Sequence, residues 1–161
     1  LRNAEREVRN KQSNIRPAQK NRRLSNEDLK QRTKKFALDV IKLVETLPNN
    51  RTSHVLGGQL LRAGTSVGAN YRAACRARSV ADFISKMGIV EEEADECLYW
   101  IELLVDAGML STEKTDSMLQ EAGELVAISV ASINTARRNN TPRPAKTSIR
   151  PIPHSALRTP R

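Results

Sequence analysis

The two histidines, His54 and His154, are the residues to weigh first, because imidazole titrates near neutrality and ligates transition metals. Neither has a partner in the sequence. No HExxH and no carboxylate-x-x-His pair occurs, so the usual helical zinc and di-iron sites are not indicated. Some small all-helical ribonucleases place an arginine, four residues and then a histidine. Here only two residues separate Arg51 from His54, so that match fails. Ser66 and Ser79 have no nearby histidine to activate a hydroxyl. Cys75 and Cys97 form no CxxC pair and read as reduced thiols. No glycine-rich turn between a strand and a helix offers a phosphate cradle. A run of acids, Glu91, Glu92, Glu93, Asp95, Glu96, Glu102 and Asp106, has donors for a divalent cation. Such clusters are more commonly a solvated or ion-paired helix face. A metal-dependent nuclease working through Glu92 and Glu96 is therefore the minor reading. The expectation is no catalytic residue, no metal, no cofactor and no enzymatic activity.

What remains is charge. The chain carries 27 Lys+Arg against 18 Asp+Glu, a formal charge of +9. Nucleic acid is the first anionic partner this suggests, and an acidic membrane surface the second. The excess is uneven. Residues 1–28 sum to +4, residues 137–161 to +7, and residues 29–136 to −2. Both ends lack apolar periodicity, and prolines from Pro142 to Pro160 punctuate the C-terminal one. They are expected to be disordered basic tails, either nucleic-acid arms or solubilising extensions. Within the middle, Arg62, Arg72 and Arg76 fall within about a quarter turn on a helical wheel. The plainer account pairs them with the acidic run. The sharper one gives them to phosphates, which guanidinium binds bidentately.

The elements that position these groups are helices. Residues 29–136 repeat their apolar positions with a 3.6-residue period and show no strand alternation. Ser25 with Asp28, and Ser79 with Asp82, resemble capping boxes for a first and a third helix. The first has an apolar stripe of Leu29, Phe36, Ala37, Val40, Ile41, Val44 and Leu47, and stops at Pro48-Asn49-Asn50. A second starts near Thr52 or Ser53, with Leu56, Leu60, Ala63, Val67, Asn70 and Ala74 inward. The third runs from Val80 toward Gly108, and a fourth begins at Ser111 or Thr112. Short links make sequential neighbours antiparallel. The expected fold is all-α: an up-down-up-down four-helix bundle over 29–136 between tails at 1–28 and 137–161.

The second helix has a second stripe, Gly57, Leu61, Gly64, Gly68, Tyr71 and Cys75. Each interior glycine costs about 1 kcal/mol relative to alanine, so several on one side need close approach of another backbone as compensation. The third helix carries Ile89, Trp100, Leu103 and Ala107 away from its core stripe. A wide core that absorbs both faces is one explanation. The favoured one is self-association, with Gly57, Leu61, Gly64, Gly68, Tyr71, Ile89, Trp100 and Leu103 between copies.

Four stretches carry a resemblance: RTKKFA (Arg32 to Ala37), QLLRAGTSVGANYRAA (Gln59 to Ala74), ARSVADFISKMGI (Ala77 to Ile89) and EEADECLYWIELL (Glu92 to Leu104). They resemble the bacterial four-helix bundle proteins first noted in intervening sequences of large-subunit ribosomal RNA genes. That family is similar in turn to the accessory proteins of diversity-generating retroelements. Those are pentameric, have a basic surface, and bind a reverse transcriptase and nucleic acid. The resemblance implies a homopentamer. It implies nucleic-acid contact at Arg62, Arg72 and Arg76, with Lys34 and Lys35 as further candidates. One departure is Ala73, where the family tends to have glutamate.

The expected function is a non-enzymatic, oligomeric accessory protein that binds RNA or DNA through its basic surface and tails. The alternative is a protein-interaction scaffold, for example a reverse transcriptase partner, that binds no nucleic acid itself. No apolar run approaches the roughly 20 residues of a membrane span. The N-terminal residues lack the apolar stretch of a signal peptide, so a cytoplasmic protein with no membrane partner is expected.

Overall fold

Ser25 opens the first helix as the capping box requires. Its hydroxyl accepts from the Asp28 backbone N–H at 3.1 Å, and the Asp28 carboxylate accepts from the Ser25 N–H at 3.0 Å. Helix α1 then runs Asn26–Glu45. The structure, a computed structural model, describes residues 25–141. Of the expected tails at 1–28 and 137–161, residues 1–24 and 142–161, with His154, lie outside the described residues, while 26–28 and 137–140 are helical. Alanine at Ser25 removes one side of the box, and urea denaturation should read a loss of about 1 kcal/mol.

Asn50 caps α2, Arg51–Ala74, accepting from the Ser53 N–H at 2.9 Å. Ser79 caps α3, Val80–Asp106, through the Asp82 N–H at 3.1 Å. The Asp82 carboxylate accepts from the Arg78 N–H at 3.0 Å, one residue earlier than a symmetric box would place it. Gly108 ends that segment with φ +68°, the left-handed conformation glycine adopts at least cost. Helix α4, Thr112–Asn140, follows Ser111. It extends past the expected boundary at 136 and stops two residues short of Pro142, which disfavours helical geometry in the residue before it. Among the described residues there is no strand, and no helix is long and apolar enough to cross a membrane.

Contacts between the helices fix their directions. Along α2, Gly57 faces Val44 of α1 and Leu47 just beyond it, Gly64 faces Val40, and Gly68 faces the Thr33 backbone, so α1 and α2 are antiparallel. Ser53 reaches Met109 while Arg62 reaches Glu96, so α2 and α3 are antiparallel too. Arg32 of α1 meets Glu121 and Glu124 of α4, and Leu29 shares a groove with Ile128 and Thr135 further along α4. The result is the expected up-down-up-down order.

Phe36, Val40, Leu60, Val67, Met87, Val90, Ile101, Leu104 and Leu125 form the fully buried centre. Apolar burial at about 25 cal/mol per Å² makes this packing the main stabilising force. Thr33, Thr115 and Ser129 are buried with it, and their hydroxyls donate to carbonyls one turn earlier.

The second stripe on α2 corrects one expectation. Gly57, Gly64, Gly68 and Tyr71 are buried within this chain, the glycines against α1. The close neighbour they invite is α1, so they are not free to face another copy. Both α2 stripes belong to one wide core. Leu61, Trp100 and Leu103 are half-buried and Ile89 is 37% exposed, which leaves these four accessible at the bundle surface.

Candidate nucleic-acid interface

Antiparallel packing sets the first turns of α1 beside the last turns of α2. Lys30 and Lys34 lie four residues apart on α1 and share a face, while Arg72 sits in the last turn of α2 and Arg76 in the turn just beyond it. The four line one cleft of about 280 Å³ together with Glu27, Gln31 and Cys75. Arg76 also borders a second recess of about 470 Å³, lined by Ala73, Arg78, Asp82 and Lys86 at the α2–α3 turn. Six cations and two carboxylates therefore meet along one end of the bundle.

Ion pairing divides these cations. Lys30 binds Glu27 at 3.3 Å, and Lys86 binds Asp82. Hydrogen bonds from Gln31 and Lys30 hold the exposed Glu27 carboxyl below its usual range, so it stays ionised. Lys34, Arg72, Arg76 and Arg78 have no carboxylate within ion-pair distance among the described residues. Arg72, in the last turn of α2, complements that helix's dipole, which alone would explain it. It does not explain Lys34, which lies in the third turn of α1, beyond the reach of that helix's dipole.

Two other arginines are ion-paired, Arg32 and Arg62, while Arg51 at the start of α2 and Arg137 and Arg138 in the last turn of α4 have no carboxylate within ion-pair distance among the described residues. Arg32 grips Glu121 with two hydrogen bonds at 2.7 and 2.8 Å and also reaches Glu124. These contacts push the guanidinium pKa up and hold Glu124 below the usual carboxylate range. Arg62 lies 3.0 Å from Glu96 and 3.9 Å from Glu93, so it does not join Arg72 and Arg76. This is the pairing of arginine with the acidic run that the plainer sequence account allows, and it corrects the grouping of Arg62 with Arg72 and Arg76. Lys35 binds Asp39 and lies outside the cleft. Lys30, Arg78 and Lys86 were not anticipated. The i, i+4 spacing of Lys30 and Lys34 was the available signal for the first.

The two thiols differ sharply. Cys97 is wholly buried, and burial pushes its thiol up to about 12. Cys75 is half-buried at the floor of the basic cleft. Thiol-reactive probes on the native protein should therefore label Cys75 and leave Cys97 until the chain unfolds. Peptide mass mapping before and after denaturant checks this. Among the described residues, no group of three or more His, Cys, Asp or Glu is placed to hold a metal ion. His54 is exposed and pairs with Asn49 at 2.9 Å.

The described residues thus form a four-helix bundle with basic side chains grouped around a cleft at one end. The chain belongs to the 23S rRNA-intervening sequence protein family, which matches residues 25–131. A solved structure of a protein of unknown function from the S23 ribosomal protein family of Bacteroides thetaiotaomicron VPI-5482 is similar, with a TM-score of 0.61 and 36% identity. That match covers 65% of this chain and 96% of the other. Comparison with curated proteins finds no match.

Proposed function

We propose that this chain is a non-enzymatic accessory protein that binds nucleic acid, with the α1/α2 cleft as its phosphate-binding surface and homopentameric assembly multiplying the contacts. The observation that carries this is the contrast in ion pairing. Arg32 and Arg62 are each held by two carboxylates, whereas Lys34, Arg72, Arg76 and Arg78 converge on one end with none of them in an ion pair, the two carboxylates there being held by Lys30 and Lys86. Desolvating such cations against phosphate costs less than breaking an existing ion pair first. The family's description names 23S rRNA intervening sequences, which supports RNA as the polyanion to test. Repeating a weak site around a ring raises the avidity of each contact. The test is an equilibrium titration of the full chain with a structured RNA at rising salt. Saturable binding that weakens as salt rises supports the proposal. No saturable binding at low salt contradicts it.

A second reading has its own observation. Trp100 Nε1 and Glu93 Oε2 are buried without a hydrogen-bond partner among the described residues. Burial also raises the Glu93 carboxyl above its usual range. Both lie on the α3 face that carries Ile89 and Leu103. A protein partner, such as a reverse transcriptase or a second copy, that shifts the side chains covering these two atoms would supply the missing donor and acceptor. Capture of a partner by wild type and its loss with Trp100→Ala, with RNA affinity absent throughout, would favour this scaffold reading.

A further inference from the structure

Beside the basic cleft lies a larger groove. Of the adjacent helix pairs, α1 and α4 pack least closely, and they part toward the end where α1 begins and α4 finishes. The opening measures about 900 Å³ and is open on one side. Its floor is apolar: Leu29, Tyr71, Phe83 and Ile128. Its rim is polar, with Asn26, Ser132, Thr135 and Asn139 supplying amides and hydroxyls. Cys75 lines both this groove and the basic cleft, so the two are contiguous.

We infer that the groove receives an unpaired RNA base whose flanking phosphates rest on Arg72 and Arg76. This rests on the nucleic-acid reading above and adds to it the form of the ligand. The chemistry fits on three counts. A site with an apolar floor and a few polar groups at its edge suits a flat heterocycle, and the volume falls in the range of about 300–1,000 Å³ usual for such sites. Arg72 and Arg76 flank the groove through the contiguous basic cleft, and Arg138 reaches the Thr135 hydroxyl at its rim at 3.3 Å, so phosphates on either side of an inserted base would meet a cation. Short hydroxyl and amide side chains at the rim suit a ribose 2′-OH and base edges, the groups by which proteins read splayed nucleotides in RNA loops and bulges. A paired duplex presents no free base to such a groove.

The test uses the full chain and three fluorescent hairpins: RNA with a single-nucleotide bulge, RNA of the same stem fully paired, and DNA with the same bulge. The bulged RNA should bind at least about tenfold more tightly than the paired RNA. It should also shield Cys75 from iodoacetamide. Ala131→Trp and Thr135→Leu, both at exposed rim positions, should each bring the bulged and paired affinities together while leaving the paired one unchanged. Equal binding of bulged and paired RNA by wild type overturns the groove assignment and leaves the cleft proposal standing. A preference that survives both rim variants, with Cys75 unshielded, overturns it as well. Equal binding of the bulged DNA overturns the choice of RNA. No binding of any hairpin overturns this inference and the cleft proposal together.

Discussion

Gly64→Val should destabilise the bundle by about 3 kcal/mol or more, the largest stability effect expected of any glycine in the chain. A Cβ at Gly64 would sit 2.7 and 2.8 Å from the two Val40 methyls and 3.0 Å from the Val40 Cβ. Val40 is wholly buried, and its branched side chain has little rotamer freedom to move aside. Alanine at Gly64 gains about 1 kcal/mol of helix propensity, yet overpacking of about 1–3 kcal/mol opposes it. The clash should win, because all three contacts are to one stiff side chain. Gly57 is the informative contrast. Its nearest neighbour is Leu47 Cδ1 at 2.7 Å, the end of a flexible, half-buried side chain, so Gly57→Ala should be close to neutral. Gly58, Gly88 and Gly123 have nothing near, and alanine at each should stabilise by about 0.4–1 kcal/mol. Urea denaturation across this series checks the ranking. Val40→Ala should rescue much of the Gly64→Ala loss, which a double-mutant cycle reads directly.

Arg72→Ala with Arg76→Ala should lower RNA affinity by on the order of a hundredfold, since hydrogen bonds to charged groups contribute about 1.5–3 kcal/mol each. Arg62→Ala should change it little, because Glu93 and Glu96 already hold that side chain. Helix content should be unchanged in the double variant, as both arginines are exposed and neither holds a carboxylate. Fluorescence anisotropy at fixed salt, with circular dichroism as the fold control, checks both halves. Equal losses for Arg62→Ala and for the double variant would place the binding surface elsewhere.

The helices were legible because their signals are local. Ser25 with Asp28, Ser79 with Asp82, the 3.6-residue period and Gly108 each act within one or two turns. Neighbours were harder to read. A helical wheel shows that α2 is small on the side of Gly57, Gly64 and Gly68, but not which backbone approaches it. Val40 and Thr33 answer that only once α1 is docked. The wheel likewise grouped Arg62 with Arg72 and Arg76 by angle, although ten residues put Arg62 about 15 Å further along the axis. At that height it meets the acids of α3. Lys30 and Lys34 join Arg72 and Arg76 because two helices run in opposite directions, a relation between distant parts of the chain. The groove depends on the parting of α1 and α4, which no residue pattern encodes.

Ultraviolet crosslinking of the full chain to RNA, followed by peptide mass mapping, measures directly whether and where RNA contacts the proposed cleft. Attached nucleotides should concentrate on the peptides that carry Lys30, Lys34 and Arg72 through Lys86. Crosslinks confined to residues 1–24 and 142–161, or to the α3 face around Glu93 and Trp100, would contradict the cleft proposal.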